Sequence, residues 1–268
     1  SKAIDLAQVI SDKTFKINGI DKTTPRLDFN KIVRIRNKDI GCGQNTFLIA
    51  EIGLNHNGNM RLAKKLVDAA ISAGADAVKL QSYKTKYRVS KHGKTSRYVE
   101  KVLGIEETDY EMLKKSELTK EQTIELFNYA KDRTIIFSAP FDIESAEELE
   151  ELGVDCYKIA SFDLVNLPLI RKIASTNKPM IISTGMSYLS EVQDALLEVA
   201  RCRNPNVILM QCTSSYPCPP ETMNIKAIDT MKQAFNGLPV GISDHIIGDM
   251  VCLGAVARGA NIIEKHFT

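Results

Sequence analysis

Three segments of the chain share one design. Gly74-Ala-Asp-Ala-Val-Lys79-Leu-Gln81, Gly153-Val-Asp-Cys-Tyr-Lys158 and Gly259-Ala-Asn-Ile-Ile-Glu264-Lys-His266 each run from a glycine through a short apolar stretch into polar residues. Glycine is the natural left-handed residue after a helix. Strands of a buried parallel sheet are apolar almost throughout. A charge at the carboxyl end of such a strand is costly unless it binds something or does chemistry. Repeated three times, the pattern predicts a (β/α)8 TIM barrel with a polar, lysine-bearing mouth.

The rest of the chain follows the same rhythm. Predicted strands are Thr46–Glu51, Asp76–Gln81, Thr134–Ser138, Cys156–Ala160, Met180–Thr184, Val207–Cys212, Val240–Ser243 and Ile262–His266. The first helix is expected from about Asn59 to Ala73, with Leu62, Leu66 and Ala70 on one face. Thr119-Lys-Glu-Gln122 and Ser190-Glu-Val-Gln193 read as capping boxes that open later helices. A long polar insertion covers roughly 83–118, the kind of loop that is usually functional. Ile32, Val33 and Ile35 alternate with charges and break at Asn37-Lys38-Asp39, which predicts a β-hairpin plugging the barrel floor. The expected division is an N-terminal extension and hairpin over 1–45 and the barrel over 46–268. At 268 residues the length suits one such barrel. The predicted strands and seven intervening helices end at Thr268 with no eighth helix, so a trimmed barrel or cover by another chain is expected.

Composition narrows the function. The formal charge of +2 gives no argument for nucleic acid or membrane partners. The first residues contain no signal-peptide core, and no run is long enough to span a bilayer. The six cysteines lack metal-site spacing and read as small buried residues in a reducing cytoplasm. Cys212 has no evident partner that would make it a nucleophile.

Side chains two apart on a strand share a face. Lys79 and Gln81, Ser243 and His245, and Glu264 and His266 therefore point together at the catalytic end of the barrel. Lys79 and Lys158, with hydroxyls at Ser161, Ser183, Thr184, Ser214 and Ser243, suit a phosphate or phosphate-carboxylate ligand. His245 and His266 lie on adjacent strands and can share a divalent cation, leaving the rest of its shell to water or substrate. Glu51 and Glu264 are candidates for acid/base work or for holding a substrate hydroxyl. Taken singly, a strand-end lysine is as often a salt-bridged structural residue, and a lone histidine is more often a satisfied polar group. The joint pattern at one rim favours function.

Nine strings in order make the chain recognisable: Ala50-Glu-Ile-Gly-Leu-Asn-His-Asn-Gly58, Lys79-Leu-Gln81, Ser138-Ala-Pro-Phe-Asp142, Tyr157-Lys-Ile-Ala-Ser161, Asn166-Leu-Pro-Leu169, Ser183-Thr-Gly-Met186, Gln211-Cys-Thr-Ser-Ser-Tyr-Pro217, Ser243-Asp-His245 and Glu264-Lys-His-Phe-Thr268. From about residue 31 onward the chain closely resembles the sialic acid synthase family, of the N-acetylneuraminate and legionaminate type. The resemblance implies condensation of phosphoenolpyruvate with an N-acetylmannosamine-type sugar, release of phosphate, and a Mn2+ or Mg2+ ion. By the same resemblance Lys79, Lys158, Ser161, Ser183, Ser214 and Ser243 hold phosphoenolpyruvate, and Glu51, Gln81 and Tyr216 contact the sugar. His245 and His266 bind the metal, Glu51 steadies the cationic centre, and Asp163 handles protons. A cytoplasmic homodimer of the full-length protein is also implied.

Three departures from the family pattern stand out. Ala139 occupies a position where many members have threonine, and Phe162-Asp163 replaces the usual Gly-Asp or Gly-Glu. The sequence also stops before the family's last barrel helix and its antifreeze-like domain. Two alternatives remain: a sister keto-deoxy sugar acid synthase that takes a phosphorylated aldose, and a non-catalytic barrel that only binds ligand.

Overall fold

The computed structural model describes residues 15–17, 20–22, 25–92 and 107–268. Eight parallel strands close into a barrel in chain order: β5 (Phe47–Glu51), β6 (Ala77–Ser82), β7 (Ile135–Pro140), β8 (Tyr157–Ile159), β9 (Met180–Ser183), β10 (Val207–Cys212), β11 (Val240–Asp244) and β12 (Ile262–His266). β12 closes the ring by pairing with β5, Ile262 opposite Phe47 and His266 opposite Glu51. Two antiparallel pairs precede the barrel, β1 (Phe15–Ile17) with β2 (Ile20–Lys22) and β3 (Ile32–Ile35) with β4 (Lys38–Gly41). The first pair lies in a stretch whose sequence carries little periodicity.

Strand alternation explains why the core and the mouth occupy one interior. Val78, Leu80, Tyr157, Ile159, Met180, Ile182, Leu209 and Ile242 face outward and pack with the helices in one large buried cluster. Phe47, Ile49, Ala77, Ile135, Phe137, Cys156, Ile181, Ile208, Met210 and Ile262 face inward and form a second. Two residues further along the same inward face, the side chain becomes polar on strand after strand. Ile49 gives way to Glu51, Ala77 to Lys79, Cys156 to Lys158, Ile181 to Ser183 and Ile262 to Glu264. The barrel is thus a packed apolar floor under a polar upper layer.

The β3–β4 hairpin seals that floor. Val33, Ile35 and Ile40 join the inward cluster and are fully buried. The turn is Arg36-Asn37, one residue earlier than the break expected at Asn37-Lys38-Asp39. Arg36 takes φ 51°, a left-handed conformation that is unfavourable without glycine. Its guanidinium compensates by donating to the carbonyls of Lys131 (2.6 Å) and Thr134 (3.2 Å) and pairing with Asp155 (2.6 Å).

Helices cover the outer face. α1 (Met60–Ser72) is capped by Asn59, whose side chain accepts from the Leu62 amide at 3.1 Å. Within the β6–β7 connection lie α2 (Thr85–Arg88), α3 (Asp109–Ser116) and α4 (Lys120–Ala130). α4 opens with the expected reciprocal box of Thr119 and Gln122. α5 (Ile143–Glu151), α6 (Leu167–Ala174), α7 (Leu189–Arg201), α8 (Ala227–Ala234) and α9 (Met250–Ala257) follow in the later connections. The expected Ser190–Gln193 box does not form. α7 starts at Leu189, and the Glu191 carboxylate accepts from the Tyr188 amide at 2.7 Å, which places Ser190 inside the first turn. All six cysteines are free; Cys42 is exposed and Cys202 half-buried, the other four buried. Among the described residues no helix is long and apolar enough to cross a membrane.

Candidate active site

The polar layer lines a cavity of about 830 Å³ at the carboxyl ends of the strands. The strand register assembles it. Glu51 sits opposite Lys79 on β6 and opposite His266 on β12. Ser243 sits opposite Cys212 on one side and Glu264 on the other. Twelve of the sequence-predicted site residues line this one space: Glu51, Lys79, Gln81, Lys158, Ser161, Ser183, Ser214, Tyr216, Ser243, His245, Glu264 and His266.

Its base is a buried network of two ammonium groups and two carboxylates. Lys79 pairs with Glu51 and lies 3.3 Å from Glu264 Oε1; Lys158 lies 3.5 Å from the same oxygen. The Ser243 hydroxyl donates to Glu264 Oε1 at 2.9 Å. All four charged residues are at most 4% exposed, so each depends on the others for its charge. Burial opposes the Glu264 carboxylate, but Lys158 and Lys79 outweigh it and hold the pKa below the ordinary glutamate range. Burial also opposes both lysines. For Lys79 the attraction of Glu264 and Glu51 wins and its pKa rises. For Lys158 burial wins, helped by repulsion from Lys79.

This network is incompletely satisfied. Glu51 Oε1, Glu264 Oε2 and Ser183 Oγ are buried without a hydrogen-bond partner. Buried polar groups are normally paired, so these three unpartnered atoms mark the polar layer as unusual. Gly53 and Gly185 keep the space clear. A Cβ on Gly53 would collide with Glu51 Oε1 and the Gln81 amide, and one on Gly185 would lie 2.7 Å from Ser214 Oγ and 2.8 Å from Ser161 Oγ.

The imidazoles stand together at the rim. The ring centroids of His245 and His266 are 5.6 Å apart, and Tyr216 lies against both, 4.0 Å from His245 and 5.8 Å from His266. His245 Nδ1 lies 2.9 Å from the Thr213 carbonyl. As the N–H donor to that carbonyl, Nδ1 carries the proton and Nε2 keeps its lone pair for a ligand. Burial lowers the pKa of both rings, which keeps them neutral and able to bind metal near pH 7. The two rings offer two nitrogen donors, and a divalent cation held there would draw the rest of its shell from other atoms. Among the described residues no group of three or more His, Cys, Asp or Glu is arranged to hold a metal.

Asp163 is not brought into the cavity wall. It follows Ser161 and Phe162 in a 3-10 turn that swings it behind the lining, buried, with Oδ1 accepting from Asn166 at 3.3 Å and Oδ2 unpartnered. Burial pushes its pKa up to about 6, against the hydrogen bond from Asn166 and the attraction of Arg88. A carboxyl whose folded pKa is raised favours folding below its unfolded value near 4, and that contribution is lost as pH rises through about 6. Asp163→Asn is therefore expected to raise the melting temperature at pH 8 and to change it little at pH 4. After discounting for partial solvation the gain is about 1–2 kcal/mol. Equal shifts at both pH values in a thermal melt would contradict this.

Sequence reasoning missed Arg88, which lines the cavity from α2 and donates from Nη1 to Gln81 Oε1 at 3.2 Å. No motif marks an arginine inside a long lysine-rich insertion; only the fold of α2 against the mouth reveals it. Phe162, noted as a departure, also lines the cavity and stacks on Phe141 at 5.2 Å.

Fold and site together define a TIM barrel with a charged, imidazole-bearing mouth. A model of the NeuB family matches residues 66–268. N,N'-diacetyllegionaminic acid synthase of Campylobacter jejuni is 45% identical over 226 residues, covering 83% of this chain and 67% of that protein. The protein of the same name from Legionella pneumophila is 42% identical over 236 residues, covering 86% of this chain and 66% of that one. A crystal structure of N-acetylneuraminic acid (sialic acid) synthetase from Leptospira borgpetersenii in complex with citrate matches with a TM-score of 0.78 and 33% identity, over 90% of this chain and 79% of that chain. The chain belongs to the NeuB family. It spans about two thirds of the length of the Campylobacter and Legionella relatives.

Proposed function

We propose that this chain carries the barrel of a nonulosonic (sialic) acid synthase, a transferase that joins phosphoenolpyruvate to an N-acetylmannosamine-type sugar and releases phosphate. The observation that carries the reading is the buried Lys79–Glu51–Glu264–Lys158 network, with its two ammonium groups, lining one cavity beside several serine hydroxyls. Family membership and the synthases among its relatives agree with it. The Campylobacter and Legionella relatives are both named N,N'-diacetyllegionaminic acid synthase, which favours that branch.

In this reading Lys79 and Lys158 grip the phosphate and carboxylate of phosphoenolpyruvate, and the hydroxyls of Ser161, Ser183, Ser214 and Ser243 supply short donors. Gln81 and Tyr216 orient the sugar so that its aldehyde carbon meets the methylene carbon of the enol phosphate. Carbon–carbon bond formation leaves positive charge on the former enol carbon, and the Glu51 carboxylate beneath the cavity stabilises it. Water adds at that carbon, its proton neutralising the alkoxide left on the former aldehyde oxygen, and collapse of the tetrahedral intermediate expels phosphate. His245 and His266 would hold a Mn2+ or Mg2+ ion. Such an ion, when bound, polarises the sugar aldehyde as a Lewis acid. A cytoplasmic homodimer of the full-length protein belongs to the same proposal.

The test is phosphate release by the full-length protein with phosphoenolpyruvate, metal and an N-acetylmannosamine-type sugar. Release that requires all three supports the reading; no sugar-dependent release with any such acceptor overturns it. His266→Ala should lower metal-dependent turnover by at least ~10²-fold while phosphoenolpyruvate affinity changes little. Unaltered metal dependence in that variant would remove His266 from the ligand set.

A further inference from the structure

The ends of β11 and β12 carry three successive pairs of residues. Ser243 sits opposite Glu264 and Asp244 opposite Lys265, and the ladder between the two strands stops there. His245 and His266 follow. Successive side chains on a strand point to opposite faces. Ser243 and Glu264 line the cavity, Asp244 and Lys265 do not, and His245 and His266 line it again. The two imidazoles thus stand just beyond the last paired position, and an ion pair fills that position: Lys265 Nζ lies 2.7 Å from Asp244 Oδ2. The same two side chains also hold the residue after His245. Asp244 Oδ1 accepts from the Ile246 amide at 3.0 Å, and Lys265 Nζ donates to the Ile246 carbonyl at 2.9 Å. Cys252 of α9 donates from Sγ to Asp244 Oδ2 at 3.1 Å, so the carboxylate is anchored to a helix as well. On β12 the residue after His266 is clamped from the β5 side. The Phe267 amide donates to the Glu51 carbonyl, and the Phe267 carbonyl accepts from Asn55 Nδ2, both at 2.9 Å.

Asp244 is 1% exposed. A carboxylate that deep keeps its charge only when it is paired, so this pair cannot loosen into solvent as a surface ion pair does. Two imidazoles can share one ion only if their nitrogens keep a fixed separation. Groups that orient metal-binding side chains from outside are worth roughly 10- to 100-fold in metal affinity. We propose that Asp244 and Lys265 are a positioning pair that sets the separation of His245 and His266, and through it the affinity of the barrel mouth for a divalent cation, an inference that rests on reading those two rings as metal ligands. Neither residue touches the cavity, and both act through the strand ends that carry the imidazoles.

The probe is Mn2+ alone. Titration followed by electron paramagnetic resonance of the free ion gives its dissociation constant for the full-length wild type and for the Lys265→Met, Asp244→Asn, Lys265→Arg and His266→Ala variants, each held well below its melting temperature. Phosphoenolpyruvate affinity is measured on the same proteins by calorimetry with a chelator present. Lys265→Met and Asp244→Asn should weaken Mn2+ binding roughly 10- to 100-fold and leave phosphoenolpyruvate affinity unchanged, because Lys79 and Lys158 belong to the base of the cavity. Lys265→Arg keeps the charge and several donors and should keep most of the Mn2+ affinity. If Lys265→Met fails to fold, Asp244→Asn decides, since it keeps the shape and the acceptor for the Ile246 amide. A variant that melts lower yet binds Mn2+ as tightly as the wild type would show a merely structural ion pair and overturn the proposal. Parallel losses of Mn2+ and phosphoenolpyruvate affinity would show a general loosening of the mouth and overturn it too. If the wild type and His266→Ala bind Mn2+ alike, or neither binds it, the assignment of the rings to a metal itself falls and this inference falls with it.

Discussion

Lys79→Met is expected to cost about 3–5 kcal/mol of stability at pH 8 and to abolish measurable phosphate release. Lys79 is the cation between Glu51 and Glu264, both at most 4% exposed. Removing one partner of a buried charge network leaves the others uncompensated, and that loss is far larger than the net worth of the intact pair. Lys158 then balances only one of the two carboxylates. The pH dependence follows with a definite sign. The Glu264 pKa is held down against burial by Lys158 and Lys79, so its stabilising share is present above the unfolded glutamate value and lost as pH falls through the folded one. Without Lys79 the Glu264 carboxylate takes up a proton more readily. The gap between variant and wild type should accordingly narrow from pH 8 to pH 5 in thermal melts. A variant as stable as the wild type at pH 8 would mean that the network is not the buried electrostatic unit described.

Gly185→Ala is expected to spare folding and still have a large effect on turnover. A Cβ there would sit within 2.8 Å of the hydroxyls of Ser214 and Ser161 and 3.1 Å from the Cys212 carbonyl. Both hydroxyls are ends of short side chains and can rotate away at a cost of about 1 kcal/mol. Rotation removes two donors from the cavity and disturbs the bond that Ser161 Oγ accepts from the Gly185 amide at 3.1 Å. Two misplaced donors to a charged ligand are worth roughly 10²–10³ in kcat/KM. Steady-state kinetics beside a melting curve separates the two effects. Unchanged kcat/KM would show that these serines do not touch the reacting ligand.

Much of this architecture was legible because one physical rule repeats. A strand buried on both faces must be apolar, so a charge on it announces the carboxyl end of the barrel. That rule located Lys79, Lys158, Glu264 and His266, and strand edges shifted by at most two residues. Asp163 shows where the rule stops. It lies beyond β8, in a 3-10 turn whose direction no periodicity fixes, and it falls behind the lining. Arg88 shows the same limit from the other side, since its place depends on how a short helix in a long insertion folds over the mouth. The α7 start depended on which of two acidic or polar side chains reached a free amide, and Glu191 reached it before Gln193. The paired strands Phe15–Ile17 and Ile20–Lys22 are too short to leave a pattern.

The central claim is that the barrel mouth grips an enol phosphate through its buried ammonium groups. Calorimetric titration of phosphoenolpyruvate into the wild type and Lys158→Ala tests it most directly. The account predicts binding to the wild type and a loss of about 1.5–3 kcal/mol in the variant. Equal affinity in the two proteins, or no binding to the wild type, would contradict it.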